Sequence, residues 1–214
     1  MSDIRVYAKS VAAPRATDDT WVALRSTRDG APIVLPWHAA LAIEGKVYQV
    51  RLGTITTPLT GDVDITDAAA EAAAEAASGY VILPLAVQVT VEALGGTLPV
   101  AAFKSAGALI TTLGTAFVPL NLKIGGAAAN ARAAVAAAGG VAVVAELATT
   151  TRVHVIGQTS AIGDAQPNLI DREFDVPPVL VGPASCYLQV AAVTTGPTYF
   201  AFFNFAEFTT GELT

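Results

Sequence analysis

The chain has 214 residues, a formal net charge of −6, 53% hydrophobic residues and only 14% charged ones. An ordinary soluble domain carries about 25% charged residues, so much of this surface is expected to meet other protein subunits or lipid rather than water. The 12 Lys and Arg are scattered along the chain, which argues against a phosphate-binding cluster and hence against direct nucleic-acid binding.

Met1 to Pro14 has no apolar core of a signal peptide. Residues 1–20 read as an N-terminal arm, 21–208 as a single β-sandwich domain and 209–214 as a C-terminal tail. Trp21 to Arg28 and Pro32 to Ile43 are the first candidate strands, followed by Lys46 to Thr56 with Tyr48, Val50 and Leu52 inward and Gln49 and Arg51 outward. Asp62, Asp64 and Asp67 resemble part of a calcium loop but lack its full register, and a solvated turn with a helix cap is the plainer reading. Asp67 to Ser78 is Ala-rich with Glu71 and Glu75 at i, i+4, which predicts a short helix ending at Gly79, or else a loop.

Tyr80 to Glu92 is the clearest strand. Val81, Leu83, Leu85, Val87, Val89 and Val91 form one apolar face, and alternation predicts their burial together. Leu98 to Lys104 follows. Thr115 to Ile124 repeats the pattern, with Ala116, Val118, Leu120, Leu122 and Ile124 pointing one way. Pro84 and Pro119 each lack a ladder donor and are expected at edges or bulges. Ala127 to Ala138 predicts a second Ala-rich helix or loop. Val141 to Leu147 and Thr151 to Thr159 are further strands, the latter with Val153 and Val155 opposed to Arg152, His154 and Gln158. Ala184 to Thr194 and Thr198 to Phe208 close the series, the last with Tyr199, Phe203 and Phe205 on one face and Phe200, Phe202 and Phe208 on the other. One face can pack the core; the other needs a second layer, from this chain or from a neighbour. Prolines interrupt the two long charge-free runs, Ser105 to Leu122 and Val176 to Ala206, so neither reads as a membrane-spanning helix. About ten short strands with Gly-rich turns between them predict an all-β sandwich or barrel.

Sites for chemistry are sparse. His38 and His154 are the only histidines, no G-x-S-x-G elbow occurs, and no Gly-rich phosphate loop is complete. Cys186, the single cysteine, sits in an apolar run and reads as a buried structural thiol. Asp171, Glu173 and Asp175 alternate, so on a strand they share a face. That face could be an exposed edge meeting a neighbour's Arg, or it could hold a divalent cation between subunits. No enzyme activity and no cofactor are expected.

Short strands throughout, the apolar loop Val176-Pro177-Pro178-Val179-Leu180-Val181-Gly182-Pro183, a final strand pair ending in aromatics, and low charge with much Ala, Val and Thr together resemble the phage-type jelly-roll capsid proteins of viruses. The resemblance runs over about Trp21 to Phe208. It implies two packed four-stranded sheets with insertions, assembly into an icosahedral shell in the virion, and partners that are copies of this chain and other virion proteins. Candidate contact residues are Trp21, Trp37, Phe200, Phe202 and Phe208. One departure is the N-terminus: Met1 to Asp19 holds Arg5, Lys9 and Arg15 against Asp3, Asp18 and Asp19, unlike the basic arm of many genome-binding coat proteins. This fits a shell around an internal viral membrane or a separate core, or a minor or decorating component. The alternative is a β-sandwich binding module for glycans or receptors, with Trp37 and His38, or Tyr187 and Gln189, as its contacts.

Overall fold

Alternating side chains and turn-forming glycines fold the chain into antiparallel sheets. The computed structural model describes residues 36–64, 69–96, 98–109, 115–135, 141–142, 151–158 and 168–212. Eight strands of five residues or more carry the fold among these residues: β1 (Val47–Leu52), β2 (Ala72–Ala76), β3 (Tyr80–Ala93), β4 (Val100–Ala106), β5 (Thr151–Gln158), β6 (Asn168–Glu173), β7 (Ala184–Ala191) and β8 (Thr198–Thr209). The first sheet has the order β1-β8-β3-β6 and the second β2-β7-β4-β5, with every neighbour antiparallel. Shorter strands extend both. Leu120–Asn121 lies outside β1, whereas Arg132–Val135 and then Thr115–Phe117 lie outside β2.

The pairing is nested: β1 pairs with β8, β2 with β7, β3 with β6 and β4 with β5. The chain is thus one long antiparallel ribbon, doubled back between β4 and β5 and rolled until β8 meets β3 and β7 meets β4. The fold is an all-β sandwich. Its core combines large residues of the first sheet (Tyr48, Tyr199, Phe203, Phe205) with mostly small ones of the second (Ala72, Ala74, Ala76, Ala101, Ala133, Ala184), around Phe103. Large against small fills the space between the sheets at interior density.

Several expected elements differ. Residues 37–43 of the expected Pro32–Ile43 strand lie instead in a helix, α1 (Trp37–Glu44), closed by Gly45 in the left-handed conformation. The Trp21–Arg28 strand lies outside the described residues. Ala72–Ala76 is a fully buried strand, not a helix: β2 lies between β7 and Arg132–Val135 with both faces covered, and the packing overrides the helix preference of alanine. Gly79 forms the turn into β3 rather than a helix end. The second Ala-rich segment enters the sheet as Arg132–Val135.

The apolar face expected along β3 divides at Pro84. Asn204 pairs with Ala86 and Phe205 with Pro84, so Leu85 is an extra, bulged residue. Beyond it the faces exchange. Val87 and Val89 lie in the core with Ile82, while Leu85 and Leu83 join Val47, Ala206 and Phe208 in a second cluster beneath Leu41 and Ala42 of α1. A proline without an N–H is compatible with a central strand only at such an irregularity, as expected. Pro119 marks another break: Thr115–Phe117 belongs to the second sheet and Leu120–Asn121 to the first. Another bulge, between Val153 and Val155, turns His154 inward and leaves Val153 exposed, against the expected facing of those two residues, whereas Val155 packs on the core and Arg152 and Gln158 face solvent as expected.

Candidate functional site

The register of the first sheet sets side chains out in rows. Arg51 lies opposite Phe202, Phe202 opposite Gln88, and Gln88 opposite Asp171, so these four form one row across β1, β8, β3 and β6. Gln49, Asn204, Ala86 and Glu173 form the next row. Gln49 donates to the Asn204 carboxamide oxygen at 3.1 Å. Phe203 and Phe205 point into the core, so Phe200 and Phe202 point outward, as alternation demands; both are partly buried. Phe208 shares their face but is covered by this chain, within the α1 cluster and with the Lys46 ammonium 5.9 Å from its ring centre. Lys46 also pairs with Glu212 at 2.7 Å, tying residues 210–212 to the sheet. Trp37 lies at the start of α1, 41% exposed, its ring centre 3.8 Å from that of His38. Trp21 lies outside the described residues.

The sites weighed for chemistry have a different character. Nε2 of His154 lies 2.8 Å from Oγ of Ser105, a serine–histidine pair that the sequence does not reveal because 48 residues intervene. Ser105 is only 1% exposed. The His154 ring packs against Phe103 and Phe174, and burial, aided by the Arg152 charge, lowers its pKa. A hydroxyl so enclosed has no path to a substrate, and the pair closes the edge of the core. Asp171 and Glu173 stand exposed on β6 with Asp175 just beyond it, and no group of three potential ligands close enough to hold a metal occurs among the described residues. Burial pushes the Cys186 thiol up to about 12, so it is an inert core group. Tyr187 and Gln189 are buried in β7 and present nothing to a glycan.

Three glutamates are buried among the described residues: Glu75, paired with Arg132, and Glu71 and Glu207, which lie toward opposite ends of the sandwich. Glu207 accepts from the Asn130 N–H (3.0 Å), the Asn130 side-chain amide (2.8 Å) and the Ala131 N–H (2.5 Å), fixing the approach to Arg132–Val135. Glu71 sits at the kink before β2 and accepts from the Asp62 N–H at 2.9 Å. The buried Tyr199 phenol faces it without a hydrogen bond of normal geometry. Burial raises the Glu71 pKa to about 7 against the Asp62 N–H, which lowers it, and with the Asp62 carboxylate, which raises it further. The backbone is close-packed nearby: Gly61 donates to the Pro197 carbonyl at 2.8 Å, and a Cβ at Gly196 would lie 1.7 Å from the Gly61 oxygen.

The apolar face expected between Thr115 and Ile124 turns outward. Val118, Leu120, Leu122 and Ile124 are all exposed, Ile124 completely. Val176 and Val179, in the segment between β6 and β7, and Val181, in a short strand there (Leu180–Val181) that pairs with β3, are exposed as well. Among the described residues no helix is long and apolar enough to cross a membrane. No protein-family model, no curated protein and no solved structure matches this chain.

Proposed function

We propose that this chain is a non-enzymatic virion structural protein, a jelly-roll capsid subunit that works by associating with copies of itself and with other virion proteins. The observation that carries this reading is the nested pairing of eight strands, first with last and fourth with fifth, in two sheets of the orders β1-β8-β3-β6 and β2-β7-β4-β5. A ribbon rolled in this way supports the reading as a double-sheet jelly roll, an architecture of viral capsid domains and of lectins. The surface supports the capsid side of that pair. Apolar side chains stand exposed at a sheet margin (Leu120, Leu122, Ile124) and in the β6–β7 segment (Val176, Val179, Val181). Clusters of this kind mark contact surfaces. An internal viral membrane is a compatible further partner, and the scattered cations speak against the genome as one.

Light scattering after size-exclusion chromatography, followed by electron microscopy, tests the reading. The expected outcome is a stable oligomer or a closed assembly at micromolar concentration. A chain that stays monomeric up to millimolar concentration would overturn self-assembly. The second reading, a glycan-binding module, is favoured by one observation: Phe200 and Phe202 lie beside Gln88, Arg51 and Asp171 on one outward sheet face. Binding on a glycan array by a monomeric chain is the result that would put it first.

A further inference from the structure

The outer face of the first sheet is divided in two. Toward the start of β1, α1 covers Val47, Leu83, Leu85, Ala206 and Phe208. No described element is stacked on the other half, which holds Arg51, Phe200, Phe202, Gln88 and Asp171. We infer that this uncovered half pairs with the same face of a second copy, about a two-fold axis parallel to the strands between Phe202 and Gln88, so that Arg51 of each copy meets Asp171 of the other. The inference rests on the association proposed above and names its contact.

Charge complementarity under rotation selects this axis. Strands are about 4.8 Å apart, so three steps separate Arg51 on one flank from Asp171 on the other by about 14 Å. Both side chains are exposed, and Glu173 adds a second acid on the Asp171 flank. A two-fold axis lying between the faces and parallel to the strands exchanges the flanks, bringing the cationic margin of each copy over the anionic margin of the other. The perpendicular axis would set Arg51 over Arg51 and Asp171 over Asp171, and the repulsion selects against it. An isologous contact requires this kind of self-complementary patch. Its centre is also suitable: Phe200 and Phe202 supply apolar area, and the rotation sets Phe202 of each copy over Gln88 of the other. An apolar centre within a charged rim is the usual anatomy of an interface. A glycan site has no need of opposite charges on its two margins, and a second copy does.

The test uses two full-length variants, Arg51→Glu and Asp171→Arg, with circular dichroism and thermal melting as controls of folding; both positions are exposed, so both variants should fold. Self-association is measured by sedimentation equilibrium. Each variant alone places like charges across the axis and should weaken pairing about tenfold or more. An equimolar mixture should pair as well as the wild type, because the two reversed charges then meet each other on one side and the native pair remains on the other. If the mixture pairs no better than its components, or if neither variant weakens association, this face is not the contact, although self-association stands. A wild-type chain that is monomeric throughout overturns the association reading and the contact together. Glycan binding by that monomer, abolished by Phe202→Ala, would assign the face to a ligand instead.

Discussion

Glu71 and Glu207 show how differently two buried carboxyls are accommodated. Glu207 accepts three N–H donors from one turn and so anchors the segment leading to Arg132–Val135. Glu71 has the Asp62 N–H, and burial raises its pKa from 4.5 to about 7. Between those two values the unfolded chain has released the proton and the folded chain holds it. The resulting stability is fully present below about pH 4.5, declines as pH rises to about 7 and is constant above. At about 1.4 kcal/mol per unit, the decline is about 3 kcal/mol. His154, whose pKa is lowered, acts in the opposite sense below 6.5, so the readout is the difference between wild type and Glu71→Gln. Urea unfolding at pH 5 and pH 8 should show the wild type losing about 2.5 kcal/mol more than the variant between the two conditions, since a small part of the decline precedes pH 5. Equal losses would mean that Glu71 titrates as an ordinary exposed carboxyl.

Among the elements, β2 is the one whose composition misleads. Five residues of Ala-Ala-Ala-Glu-Ala have no hydrophobic alternation and carry high helix propensity, yet they form a buried strand. Ala72, Ala74 and Ala76 occupy the space left beside the aromatic residues of the first sheet. Ala73 and Glu75 are buried on the other face, where Glu75 pairs with Arg132 on the adjacent strand. A larger side chain at Ala74 has no room, and Ala74→Leu should destabilise the protein by about 2 kcal/mol or more in urea unfolding, the cost of overpacking. On an exposed helix the same change would be close to neutral, since leucine is also a good helix former. A stability within about 0.5 kcal/mol of wild type would therefore contradict the buried strand.

At the scale of the whole molecule, the described residues hold no group of three potential metal ligands, and in the Ser105–His154 pair the serine is buried while the half-buried histidine packs against Phe103 and Phe174. On the proposed reading the working surfaces are the outward Arg51–Phe202–Gln88–Asp171 row of the first sheet, the Leu120–Ile124 margin and the β6–β7 segment. The double variant His38→Gln, His154→Gln should assemble as the wild type does, measured by light scattering and electron microscopy. Loss of a hydrolytic activity on that substitution would instead place the role of the protein in a catalytic site.

Where side chains differ strongly in polarity, the sequence by itself determined the outcome. The facing of Tyr48, Val50 and Leu52 in β1 and of the aromatic residues in β8 is written in period two, because a strand with one buried face must alternate. Pro84 announced an edge or a bulge, because a ring nitrogen cannot donate to a ladder, and the structure has the bulge. The bulge also ended the legibility of β3, since one extra residue exchanges its faces, and only the register against β8 decides which residue that is. The tertiary structure alone made β2 a strand, because alanine, small on every side, takes its secondary structure from what surrounds it. It alone brought Ser105 to His154 and Arg51 into one row with Phe202, Gln88 and Asp171. Neighbours across strands that close a ribbon of this length are far apart in the chain, and no local pattern records which of them will meet.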